Sequence, residues 1–270
     1  MRKVVTGTAP YKGIGRPDYS APAPVGSFAK PTVYAGSDVY ELAARLGSPD
    51  VFDRRGDIVW MDDFDQGFNK WYSETTGVGG NIGATTTVAS RGDCSLQMKA
   101  GDAIGSYARI ARAFPLPKLG RIGAEYSFAI NSSIITVSLW NYIAVGTLQY
   151  LPYVYLLQSA GSCSLYYRND AGVSTPLFEG QAIPIASLYG TRPIFHVLKI
   201  VVDVSTGYWT RIIFDNVEYD VHLQAMDFTP GWASAPIMEL VLDTTRGTLA
   251  GDGITYLDNI LVTQNEPVQI

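Results

Sequence analysis

Glu239 and Asp243, four positions apart in the run IMELVLD, are the nearest approach in this chain to a catalytic carboxylate pair. Acids at alternating positions on one strand project to one face, where they can serve as nucleophile and proton donor in a retaining glycoside cleavage. Here the spacing is wrong and a third acid is missing, while the run 125–130 offers Glu125 alone. His196 and His222 each sit beside apolar residues, and two histidines without a nearby Cys do not make a metal centre. Gly77-Val78-Gly79-Gly80 lacks the Gly-Lys-Ser/Thr ending of a phosphate loop, and no Gly-x-Ser-x-Gly elbow occurs. No residue qualifies as catalytic, and the expectation is a chain that is not an enzyme.

Binding has more material. Trp60, Trp71, Trp140, Trp209 and Trp232, with 17 tyrosines, can form a platform on which the flat apolar faces of sugars stack. The same rings also fill sandwich cores. The most aromatic stretch, WNYIAVGTLQYLPYVY at 140–155, offers Trp140, Tyr142, Tyr150 and Tyr153 as a ligand or partner surface, with core as the other reading. Arg55-Gly56-Asp57 and Arg91-Gly92-Asp93 read as turns entering strands rather than as adhesion motifs. Asn131-Ser132-Ser133 is a glycosylation sequon in form only, because no export signal is expected.

The elements that must position these residues are strands. Val, Ile, Tyr and Thr are dense in short runs that Gly, Asn, Asp or Pro separates. The runs are Ile58–Phe64, Ala84–Ala89, Ser95–Lys99, Ser106–Phe114, Gly123–Ile130, Ile134–Tyr142, Tyr150–Gln158, Ser164–Arg168, Phe195–Val204, Tyr208–Asp215, Val217–Val221, Ile237–Asp243 and Thr255–Thr263. Ser205-Thr206-Gly207 and Asp215-Asn216 are the turns that join three of them in series. Within His196–Asp203 the apolar block is nearly continuous, which suits a strand covered on both faces.

Ahead of the strands lies a different composition. Five prolines and five glycines punctuate residues 7–36, so an extended arm is expected over 1–36. Ser37 as an N-cap, Val39, Leu42, Ala43 and Leu46 on one face, and Gly47 with Pro49 as a stop predict a short helix within a linker over 37–56. The sandwich is expected over 57–270. Residues 1–35 carry five cations against Asp18, a net +4 that leaves −9 for the rest of a chain whose total is −5. A basic arm on an acidic body suits docking on an acidic neighbour, another copy included, with Arg2, Lys3, Tyr11, Lys12, Arg16 and Tyr19 as the contact residues. Nucleic acid is the weaker partner, since no basic stripe or stacking platform follows the arm. No apolar run is long enough to span a bilayer, and the start MRKVVTGTAPYKG has no signal-peptide core, so neither a membrane nor export is expected. Cys94 and Cys163, the two cysteines, read as buried thiols, with a single bridge as the alternative.

The phrasing of FHVLKIVVDVSTGYWTRIIFDNVEYDVH at 195–222 and YLDNILV at 256–262 resembles the concanavalin A-like, laminin-G-like jelly-roll domains found in tailed-phage virion proteins and carbohydrate-binding modules. DDFDQGFNKW at 62–71 is similar to their opening strand, and VASRGDCSLQMKAG at 88–101 to a following strand that lies against it. The resemblance implies an all-β, antiparallel jelly-roll sandwich. It also implies a calcium ion where opening and closing strands meet, held by Asp63 or Asp65 with Asp258, since hard oxygen ligands suit that ion. For function it implies a structural protein of a phage particle, a capsid auxiliary or decoration subunit made in the host cytoplasm and anchored by its arm to other virion subunits. The alternative is a carbohydrate-binding module or tail adhesin that takes a glycan.

Overall fold

The computed structural model describes residues 55–90, 93–116, 119–131, 134–159, 162–184, 192–231, 236–247 and 253–268. The expected arm, 1–36, lies outside them, as does all of the helix and linker except Arg55 and Gly56. The described residues form strands and no helix.

In chain order the strands are β1 (Asp57–Asp62), β2 (Tyr72–Thr75), β3 (Asn81–Thr85), β4 (Ser95–Lys99), β5 (Tyr107–Pro115) and β6 (Arg121–Ile130). They continue with β7 (Ile134–Val145), β8 (Leu148–Tyr150), β9 (Tyr153–Ser159), β10 (Ser162–Arg168), β11 (Ser174–Gln181) and β12 (Phe195–Asp203). The last are β13 (Tyr208–Phe214), β14 (Val217–Asp220), β15 (Phe228–Pro230), β16 (Ile237–Arg246) and β17 (Ile254–Gln264). All pairings between these strands are antiparallel. The first sheet runs β14-β13-β12-β6-β17-β4-β3, with β1 also on β17, and the second runs β11-β10-β9-β7-β16-β5-β2, with β8 beside β7 and β15 beside β8.

Side-chain alternation assigns the faces. Leu96, Met98, Tyr126, Phe128, Leu198, Ile200, Ile212, Leu257 and Ile260 of the first sheet meet Ile110, Ile135, Val137, Leu139, Val154, Leu156, Leu165, Leu240 and Leu242 of the second in one core. At one end Trp60 stacks on Phe114 at 5.7 Å and meets Trp71 edge-on at 5.7 Å, and Phe64 lies 5.8 Å from Trp71. The strand β12 is buried on both faces for seven consecutive residues, as its apolar block required.

Several expected strands differ from those observed. The run 84–89 is strand only to Thr85, because β3 begins earlier, at Asn81, and ends where Thr85 and Thr87 bond side chain to side chain and side chain to backbone. The single strand expected over 150–158 is two, since Pro152 offers no N–H at the join and β8 folds back on β7. β2, β11 and β15 were not expected. They are short or at an edge, and two of them contain Pro.

The strand at 95–99 does not lie against the opening strand. β17 has a bulge between Leu257 and Ile260; its first half pairs with β4 and its second half with β1. β4 and β1 therefore sit end to end along β17 rather than side by side, because the bulge reorients the strand between them.

Candidate ligand-binding face

On the second sheet, residues that alternate with the core positions point outward. Register places Tyr107 and Arg109 of β5, Glu239 and Asp243 of β16, Ser138, Trp140 and Tyr142 of β7, Tyr155 and Tyr153 of β9, and Tyr166 of β10 on that one face. Five rings follow each other across it. Tyr142 lies 4.9 Å from Trp140, Trp140 6.0 Å from Tyr153, Tyr153 5.6 Å from Tyr155, and Tyr155 stacks on Tyr166 at 4.9 Å with 16° between the planes. All five are half-buried, their apolar surfaces neither hidden in the core nor isolated.

The arrangement follows from sequence local to two strands. Trp140 and Tyr142 are two apart on β7, and Tyr153 and Tyr155 are two apart on β9, so period-2 geometry sends each pair outward. Antiparallel register then sets Trp140 opposite Tyr153. Tyr150 does not join them. It pairs with Ile143, a core residue, and its ring lies beneath the turn at Gly207, where a Cβ would come within 3.1 Å of it. Of the expected quartet, Trp140, Tyr142 and Tyr153 share the face and Tyr150 turns inward.

A polar row borders the rings. Arg109 donates through Nε and Nη2 to the two carboxylate oxygens of Asp243 at 2.6 and 3.0 Å, a two-pronged contact. Its guanidinium also lies over Tyr107 at 4.7 Å and Trp140 at 5.2 Å, so one side chain braces the ladder from the side. The Asp243 hydrogen bonds hold the Arg109 proton more tightly than usual. Burial pushes the Asp243 carboxyl above its ordinary range, and Arg109 pulls it back in part. The Tyr107 hydroxyl donates to Glu74 at 2.9 Å, and that contact raises the phenol. Ser138 and Tyr153 share a hydroxyl hydrogen bond of 2.9 Å, and Tyr166 donates to Glu179 at 2.8 Å. Arg109, Tyr107, Glu74, Tyr155 and Tyr166 are the residues that sequence reasoning missed. For Tyr155 the signal was available in the alternation of Tyr153-Val154-Tyr155.

The acids on this face do not form a hydrolytic pair along β16. Glu239 and Asp243 are four residues apart, or about 13 Å along the strand at ~3.3 Å per residue. Glycoside cleavage needs carboxyls about 5–5.5 or 6.5–9.5 Å apart. Glu125 is in the first sheet, cross-paired with Lys199 and Leu261.

The histidines are structural in their contacts. His196 is buried, with Nδ1 2.8 Å from Asp215 and Nε2 2.9 Å from the Pro184 carbonyl, whereas His222 is exposed against Asp220. Cys94 and Cys163 are both free thiols; Cys163 is buried, which pushes it up to about 11, and Cys94 is half-buried ahead of β4.

At the seam of β1 and β17, Asp63 accepts the Asp65 N–H at 3.2 Å, and Asp65 accepts those of Asp93 and Cys94 at 3.2 and 3.1 Å. Asp258 is buried at the bulge and accepts the Ser90 N–H at 2.6 Å. The acid that organises the opening loop is their neighbour Asp62, which accepts from Phe64 N, Lys70 Nζ and Trp71 Nε1 at 3.2, 2.9 and 2.8 Å. Among the described residues no three His, Cys, Asp or Glu side chains converge as a metal cluster. A calcium ion here would take most of its oxygens from backbone and water.

Among solved structures the chain is similar to a conserved carbohydrate esterase from the Shiga toxin-encoding bacteriophage phi24B, with 12% identity over 77% of this chain and 98% of that one and a TM-score of 0.53. It is also similar to the CBM2 module of the evolved Dit of Lactobacillus casei phage J-1, with 12% identity, 80% and 99% coverage and a TM-score of 0.46. A third is the laminarinase catalytic domain of Thermotoga maritima, with 15% identity, 79% and 100% coverage and a TM-score of 0.45. No protein-family model matches the chain, and no curated protein does. The first likeness, with the two-sheet architecture, shows a concanavalin A-like jelly roll, and at such identity it shows the fold alone. Among the described residues no helix is long and apolar enough to cross a membrane.

Proposed function

We propose that the sandwich is a non-enzymatic glycan-binding module whose ligand lies along the five rings of the second sheet's outer face. The observation that carries this reading is the unbroken row Tyr142-Trp140-Tyr153-Tyr155-Tyr166, half-buried and aligned on one surface. Rings that only fill a core point inward; these alternate away from it, and Arg109 fixes the one tryptophan among them. Sugar rings present flat C–H surfaces and a rim of hydroxyls, which suits rings in the middle and polar side chains at the border. Hydrogen exchange measured with and without a glycan that the protein retains tests the placement. Slower exchange in β7, β9 and β10 is expected; slowing confined to the first sheet rejects it.

A second reading is a structural subunit of a phage particle, a capsid auxiliary or decoration protein held to other virion subunits by residues 1–36. The observation favouring it is the Pro/Gly spacing and basic charge of that segment. The two readings are compatible, because the arm and the ring face belong to different parts of the chain. Removing residues 1–36 is expected to abolish incorporation into particles while leaving glycan retention unchanged, and normal incorporation of the truncated chain rejects the tether. Calcium at Asp63, Asp65 and Asp258 belongs to the same proposal, and a melting temperature unmoved by chelator rejects it.

A further inference from the structure

We infer that the ring face selects uncharged glycans and turns away polyanionic ones, such as uronate-bearing, sulfated or phosphate-linked polymers. The inference rests on the glycan-binding reading and adds the chemical class of the ligand. Its basis is the pairing of the described charges around the ladder. The guanidinium of Arg109 lies 5.2 Å from the Trp140 ring and is paired through Nε and Nη2 with Asp243 at 2.6 and 3.0 Å. Arg168, two residues beyond Tyr166 on β10, is held by Asp227 at 3.1 Å and by the Gly172 carbonyl at 3.1 Å. Each of these guanidinium groups is paired with a carboxylate, so neither brings uncompensated positive charge to the face.

Three further carboxylates make no ion pair among the described residues. Glu239 lies opposite Tyr142 at one end of the ladder, Glu179 accepts from Tyr166 at the other, and Glu74 accepts from Tyr107 beside Arg109. A chain lying on the rings from Tyr142 to Tyr166 therefore begins and ends beside a carboxylate. An uncharged polymer offers hydroxyl donors to these oxygens. A polyanion brings like charges to within a few ångströms of them, while the two arginines among the described residues of the face are already charge-paired with Asp243 and Asp227.

The test is retention of the full chain in native gels cast with polysaccharides: uncharged glucans, mannans and galactans beside a polyuronate, a sulfated galactan and a teichoic acid. The expected result is retention by at least one uncharged polymer, changing less than about twofold between roughly 50 and 500 mM salt, as binding without ion pairing should. None of the polyanions should retain it at low salt. The triple variant Glu74→Gln, Glu179→Gln, Glu239→Gln should gain at least ~10-fold in affinity for the uronate form of the retained backbone, a loss of repulsion worth about 1.4 kcal/mol. Wild-type retention by a polyanion as tight as by any uncharged polymer would overturn the selectivity and leave glycan binding standing. Retention by nothing in the panel overturns both.

Discussion

Asp243 combines two roles that pull in opposite directions. Its carboxylate orients Arg109 against Trp140 and Tyr107, yet burial raises its affinity for a proton above the ordinary 3.8, more than Arg109 lowers it. The native state then binds this proton more tightly than the unfolded chain. Between 3.8 and the higher native value the folded form carries more protons, so this group's contribution to stability falls as pH rises through that window. Asp243→Asn removes the titration. The stability advantage of wild type over this variant should therefore be largest in acid and shrink as pH rises through the window, measured by urea unfolding across that range. An advantage that grows with pH would mean that Arg109, and not burial, governs the carboxylate. The residue-level reading from sequence went furthest where a side chain acts locally. Trp140, Tyr142 and Tyr153 were legible as surface candidates because they fall in the most aromatic stretch of the chain, a density that also admitted a core reading and swept in Tyr150. Arg109 was not, since it meets Asp243 from a strand 134 positions away in sequence.

At the scale of elements, the last strand and the segment after it close a polar joint on the first sheet. Glu266 is fully buried and accepts from Lys199 at 2.8 Å, from Thr263 at 2.5 Å and from Arg211. β6 passes this carboxylate closely enough that a Cβ at Gly123 would meet the Thr263 hydroxyl and come within 2.8 Å of Glu266, which explains a glycine in mid-strand. Removing one partner from a buried ion cluster leaves its counter-charges poorly compensated, so Glu266→Ala should cost about 3–5 kcal/mol. Chemical denaturation reads this directly, and a loss under ~1 kcal/mol would show that Lys199 and Arg211 do not depend on Glu266. Long, β-branched strands such as β12 and β17 were legible to within a residue at each end, because their apolar runs exceed what a turn tolerates, while β16 runs three residues past its expected end. β2, β11 and β15 escaped because an edge strand is defined by the neighbour it finds. The bulge at Asp258 and Asn259, which hands β17 from β4 to β1, is a matter of pairing that no run of residue types announces.

Over the whole molecule, the two sheets differ in how their outer faces are used. The first carries buried charge, with Lys199, Arg211 and Glu266 nearly inaccessible, and the second carries half-buried rings. The all-β class was legible because thirteen strand-like runs with turn chemistry between most of them leave a sandwich or a barrel, and the resemblance carried by 195–222 and 256–262 pointed to the sandwich. Which outer face holds the rings was not, since that follows from the register of strands far apart in sequence. The central claim is that this face binds glycan. It is tested most directly by calorimetric titration of a retained oligosaccharide into wild type, Trp140→Ala, Tyr155→Ala and the control Tyr208→Ala, a ring exposed on the first sheet. Each of the two face variants should lose at least ~10-fold in affinity, about 1.4 kcal/mol, at an unchanged fold, while the control binds as wild type does. Wild-type affinity in both face variants would contradict the claim and leave the ring row a surface ornament of the core.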